Sequence, residues 1–124
     1  MQQADHRNRT RTSRRWHVLR DGAAVTLARH LPARFDIGVT AVFPMMGRLR
    51  LAQEVRQDMW RVLQHVRGFS PVIRVEAQGD RLSLRAGGRV VGPVPKAVLE
   101  ARIAALLDDP DKRVRWGRFA GGRA

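Results

Sequence analysis

Between residues 35 and 43, apolar side chains alternate with polar or small ones. Phe35, Ile37, Val39, Ala41 and Phe43 fall on one side, and Asp36, Gly38, Thr40 and Val42 on the other. Such a period of two predicts a half-buried strand, which Pro44 ends. The spacing then changes. Ala52, Val55, Met59, Val62, Leu63 and Val66 share one stripe at 100° per residue, which predicts a helix over roughly 47–67. Arg50, Arg61, Gln53, Gln57 and Gln64 occupy its polar side, and Trp60 sits at the stripe's border, packing partly into the core. Gly68 suits the position just past the helix, Phe69 can add an apolar contact there, and Pro71 forbids continuation.

Two glycine-centred turns predict hairpins. Ile73, Val75 and Ala77 alternate with Arg74, Glu76 and Gln78; after Gly79-Asp80, Leu82, Leu84 and Ala86 alternate with Arg81, Ser83 and Arg85. A two-residue loop sets Ala77 opposite Leu82 and Val75 opposite Leu84, so the apolar faces agree. Gly87-Gly88 reads as a further turn into a short strand, Arg89 to Val91. Earlier in the chain, a loop at Asp21-Gly22 pairs Val18 with Val25 and Trp16 with Leu27. A short helix from Ala23 to Leu31, ended by Pro32, competes with that hairpin.

Pro95 suits the first position of a helix running to about Leu107, with Leu99, Ile103, Leu106 and Leu107 inward. Asp109-Pro110-Asp111 reads as the cap and first turn of a last, short helix. Its Val114, Trp116 and Phe119 can dock on the core, and Trp116 is the best candidate for burial. The expected fold is α+β: an antiparallel sheet of about five to six strands in two hairpin-containing units, two main helices on one face and a short C-terminal helix. The order of the second half, helix, three strands, helix, is also that of double-stranded-RNA-binding domains. Their basic run at the start of the last helix is absent here, since Pro95-Lys96-Ala97-Val98 offers one Lys, and no family is assigned.

Charge sharpens this picture. Lys and Arg number 24 against 11 Asp and Glu, a formal net charge of +13 on 124 residues. Replacement of Lys by Arg can follow codon usage, but the shortage of acids cannot. A small domain gains no stability from such self-repulsion, so a polyanionic partner is expected. Residues 1–20 are the densest segment, with six Arg and one Asp. Arg7, Arg9, Arg11, Arg14 and Arg15 are interleaved with Asn8, Thr10, Thr12 and Ser13, a composition unable to bury apolar surface. The expected organisation is a disordered basic arm over 1–15, one domain over 16–119 and a frayed tail over 120–124. The arm can follow a phosphate backbone or enter a minor groove; the competing reading is a solvated tail.

Three further basic surfaces present themselves. Arg74, Arg81 and Arg85 lie on the polar face of the second hairpin with only Glu76 against them. Arg113, Arg115 and Arg118 surround Trp116 and Phe119, a mixture that suits phosphate contact and base stacking. The polar side of the long helix, with Arg50, Arg61 and its Gln row, could enter a major groove, although any amphipathic helix shows such a face. The arm and the sheet face rank above that helix.

Signatures of chemistry are missing from the sequence. There is no cysteine, and His6, His17, His30 and His65 are not spaced as metal ligands. No nucleophile-elbow, phosphate-loop or dinucleotide motif occurs. No apolar run approaches the ~20 residues that span a bilayer. The arm is Arg-rich like a transit peptide but lacks the apolar side chains of one. The expectation is a non-enzymatic, cofactor-free protein of the cytoplasm that binds nucleic acid, DNA ahead of RNA. An assembly protein that docks an acidic protein on the same Arg surface is the alternative, and a peripheral role on anionic lipid ranks third. Oligomeric state is not encoded in these patterns.

Overall fold

The computed structural model describes residues 16–121. The expected arm, 1–15, and the last three residues lie outside them. The strands are β1 (His17–Asp21), β2 (Ala24–Ala28), β3 (Ile37–Pro44), β4 (Phe69–Gln78) and β5 (Arg81–Val90). The helices are α1 (Arg48–Leu63), α2 (Lys96–Asp108) and α3 (Pro110–Ala120). The strands form a single antiparallel sheet in the order β1-β2-β4-β5-β3, and the fold is α+β as expected.

Alternation decides which side chains face the helices. Leu27 on β2, Ile73 and Val75 on β4, Leu82, Leu84 and Ala86 on β5, and Ile37 and Phe43 on β3 all join one buried cluster. Leu51, Val55 and Met59 of α1 and Leu99, Ile103 and Leu107 of α2 close it from the other side. Helix α1 packs on β2 and β4, and α2 packs on β3 and β5. The three described helices therefore cover one face of the sheet, and the hairpin's polar residues lie on the other.

The β4–β5 hairpin has the expected register, Ala77 opposite Leu82 and Val75 opposite Leu84. The first hairpin forms, but its loop is Gly22-Ala23. Gly22 supplies the left-handed conformation, φ +60°, at the first loop position, so Asp21 remains in the strand. Val18 therefore meets Leu27, not Val25.

Gly87 and Gly88 do not turn the chain. They lie inside β5, which runs unbroken to Val90, and the expected extra strand is the end of this one. A Cβ at Gly87 would clash with the Ile37 carbonyl oxygen, and one at Gly88 with the Ser70 carbonyl oxygen. The pair is glycine because β3 and β4 approach from both sides.

Helix α1 ends at Leu63, earlier than its apolar stripe suggests. Gly68, φ +77°, then accepts a hydrogen bond from the Val91 N–H, and β4 begins at Phe69. Pro95 is the N-cap of α2, not its first residue. Asp109 caps α3 as the sequence implies, accepting from the N–H groups of Asp111 (2.9 Å) and Lys112 (3.1 Å) behind Pro110. This helix belongs to the core: Trp116 is fully buried and its ring centroid lies 6.1 Å from that of Phe43.

Candidate nucleic-acid interface

The connection from β2 to β3 has to cross two strands, because β4 and β5 lie between them. It is tied down along the way. The Arg29 N–H donates to the Pro71 carbonyl (3.2 Å), His30 Nδ1 and Ser70 Oγ are hydrogen-bonded at 2.7 Å, and the Asp36 N–H donates to the Gly88 carbonyl (2.8 Å). This crossing delivers Phe35 to Arg85, whose guanidinium carbon lies 4.5 Å from the ring centroid.

The helix-free face can be read from the register. Leu19, Thr26, Arg74, Arg85 and Thr40 form one row from edge to edge. Arg74 and Arg85 are direct cross-strand partners in its centre. Arg81 stands opposite Gln78, further along the same face. The acids are few. Glu76 lies 3.6 Å from Arg74, and Asp80 lies 3.9 Å from Arg81 but is almost wholly in water. Arginines facing each other across a ladder repel. Stacking on Phe35 holds the Arg85 side chain in place without neutralising it.

At the end of this face nearest the crossing connection, charge is more balanced. Both oxygens of Asp36 accept from Arg34 (3.0 Å each), and one also accepts from the Val90 N–H (2.9 Å). Bonding to Arg34 first, and to that N–H second, holds the Asp36 carboxyl below its ordinary range. His30 shifts downward too, through burial first and then through Arg29, Arg89 and His17. Both effects favour its neutral imidazole.

The three C-terminal arginines are not brought together with this patch. Arg115 donates to the buried carboxylate of Asp58, which also accepts from Trp116 Nε1 at 2.6 Å and from Arg61 Nη1 at 3.4 Å. Arg113 donates through Nε to the Leu107 carbonyl (2.6 Å) and through Nη1 to the Val42 carbonyl (3.1 Å), and lies 4.0 Å above the Phe43 ring centroid. Only Arg118 of the three is an exposed residue. On α1, Arg61 is taken up by Asp58, and Arg50 pairs with Glu54 at 3.4 Å while lying over Phe119. Arg7, Arg9, Arg11, Arg14 and Arg15 lie outside the described residues.

Sequence reasoning missed the Asp58 hub, since two of its three partners, Arg115 and Trp116, are 57 and 58 residues away. The local signals were Arg61 three residues further along the helix and a carboxylate one position before the buried Met59. Among the described residues, no group of acids and histidines could hold a metal ion, and no helix is long and apolar enough to cross a membrane. Comparison with protein-family models, with curated proteins and with solved structures finds no match for this chain.

Proposed function

We propose that this protein binds nucleic acid without catalysing a reaction. It meets phosphates through Arg74, Arg85 and Arg81 on the helix-free sheet face, together with the Arg-rich segment before Trp16. The observation that supports this most is the placement of Arg74 and Arg85 as direct partners across β4 and β5. Like charges there oppose folding slightly, and an external polyanion relieves the repulsion. Guanidinium groups suit the task because each can grip a phosphate with two parallel hydrogen bonds. Nothing in the patch reads bases by itself, so the proposal is a backbone-directed grip, with DNA ahead of RNA. A cytoplasmic setting is part of the same proposal.

Exchanging both residues, Arg74→Gln with Arg85→Gln, tests it. Fluorescence anisotropy with labelled duplex and single-stranded oligonucleotides should show weaker binding, and the slope of log affinity against log salt should flatten by about 1.8. Unchanged affinity and slope would remove the sheet face from the interface. A second reading has its own support: Leu19 and Val42, 39% and 56% exposed, flank the arginines on this face. Apolar residues beside arginine also suit an acidic protein partner. Capture of such a partner after nuclease treatment, together with absence of oligonucleotide binding, would favour it.

A further inference from the structure

A cavity of about 390 Å³ opens between α1 and the adjoining ends of β2 and β4. Trp16, Trp60 and Phe69 supply its aromatic walls, and Arg29 and Arg56 its charge. Among the described residues, no carboxylate lines it. Arg56 projects from α1 with its guanidinium carbon 5.1 Å from the Trp16 ring centroid. Its Nε is buried and has no hydrogen-bond partner among the described residues. Burial, only partly offset by Glu54, disfavours its charge, and Glu54 itself is paired with Arg50. A buried, orphaned N–H on a cation is destabilising until an acceptor arrives. Trp60 stands at the rim, 52% exposed, although a tryptophan usually seeks burial.

We propose that this cavity binds a small planar aromatic anion, with its ring among Trp16, Trp60 and Phe69 and its oxyanion on Arg56. The volume suits a molecule of one or two fused rings. An oxyanion at the guanidinium gives Arg56 the counter-charge that Glu54, already paired with Arg50, supplies only in part. The ring covers the exposed Trp60 face and excludes water from the ion pair, which strengthens it. The site lies on the helix side of the sheet and does not depend on the polyanion reading of the opposite face.

Calorimetric titration of the full chain with 2-naphthoate, with the neutral isostere 2-naphthamide and with inorganic phosphate tests the proposal at physiological salt. One naphthoate should bind per chain, at least about tenfold tighter than the amide, and phosphate alone should bind more weakly than either. Arg56→Met, which keeps the length of the side chain, should reduce naphthoate to the affinity of the amide. Trp60→Ala, at an exposed position, should weaken both aromatic probes. Arg74→Gln with Arg85→Gln should leave the preference intact, because those residues are elsewhere. Equal affinity for acid and amide, absence of naphthoate binding, or a preference that survives Arg56→Met would overturn the assignment. So would a preference abolished by the sheet-face variant.

Discussion

Asp58 shows how much one side chain can hold. Its side chain is 5% exposed, and it receives donors from Arg61, Arg115 and Trp116. Asp58→Ala strands the Trp116 N–H in the core and removes one of the ties between α3 and α1. A fully buried ion pair broken on one side costs about 3–5 kcal/mol. Arg115 is 40% exposed and can turn to water, so the expected loss is about 2–4 kcal/mol by denaturant unfolding. Asp80→Ala is the matched control. That side chain is 96% exposed, and the change should stay within about 0.5 kcal/mol. A pH series probes His30 in the same way. Its folded pKa lies below the ordinary 6.5, so the unfolded chain binds the proton more readily. The His30 contribution is complete above pH 6.5 and lost as pH falls through the lower, folded value. His30→Gln should flatten the unfolding midpoint across that window.

Strand β5 is where element-level reasoning both worked and failed. Its alternation up to Ala86 was legible because the hairpin partner lies two residues away across Gly79-Asp80 and both apolar faces agree. The Gly87-Gly88 pair looked like a turn because a glycine pair usually marks one. Its actual cause is the close approach of Ile37 and Ser70, remote in sequence and invisible to a local pattern. Gly88 also takes φ +154°, so Gly88→Ala should destabilise by about 2–4 kcal/mol through clash and backbone strain. Gly117, inside α3, has nothing within 4 Å of where its Cβ would be. Gly117→Ala should therefore stabilise by about 0.5–1 kcal/mol. If thermal or denaturant unfolding ranks the two substitutions the other way, the reading of β5 fails. The candidate interface divides along the same line. Alternation placed Arg74, Arg81 and Arg85 on one face, since strand period alone decides that. It could not foresee that Arg113 would turn to backbone carbonyls and Arg115 to Asp58, because tertiary neighbours decide where a long side chain ends.

For the molecule as a whole, a formal charge of +13 is consistent with folding because the acids are used selectively. Asp58, Glu54 and Asp36 each pair with an arginine, whereas in the middle of the helix-free face Arg74 stands opposite Arg85 with Glu76, 3.6 Å from Arg74, beside it. Function and stability should therefore separate there. Arg74→Gln with Arg85→Gln removes a repulsion, the Glu76 bridge and the stacking on Phe35, so unfolding stability should change by no more than about 1 kcal/mol while phosphate binding weakens. The most direct measurement is the affinity of the full chain for duplex and single-stranded oligonucleotides between 50 and 200 mM salt, a range over which about five phosphate contacts give a log–log slope near −4.5. Binding that is tight in dilute buffer and falls along that slope is the expected result. Indifference to every oligonucleotide in dilute buffer, or an affinity that ignores salt, would contradict it.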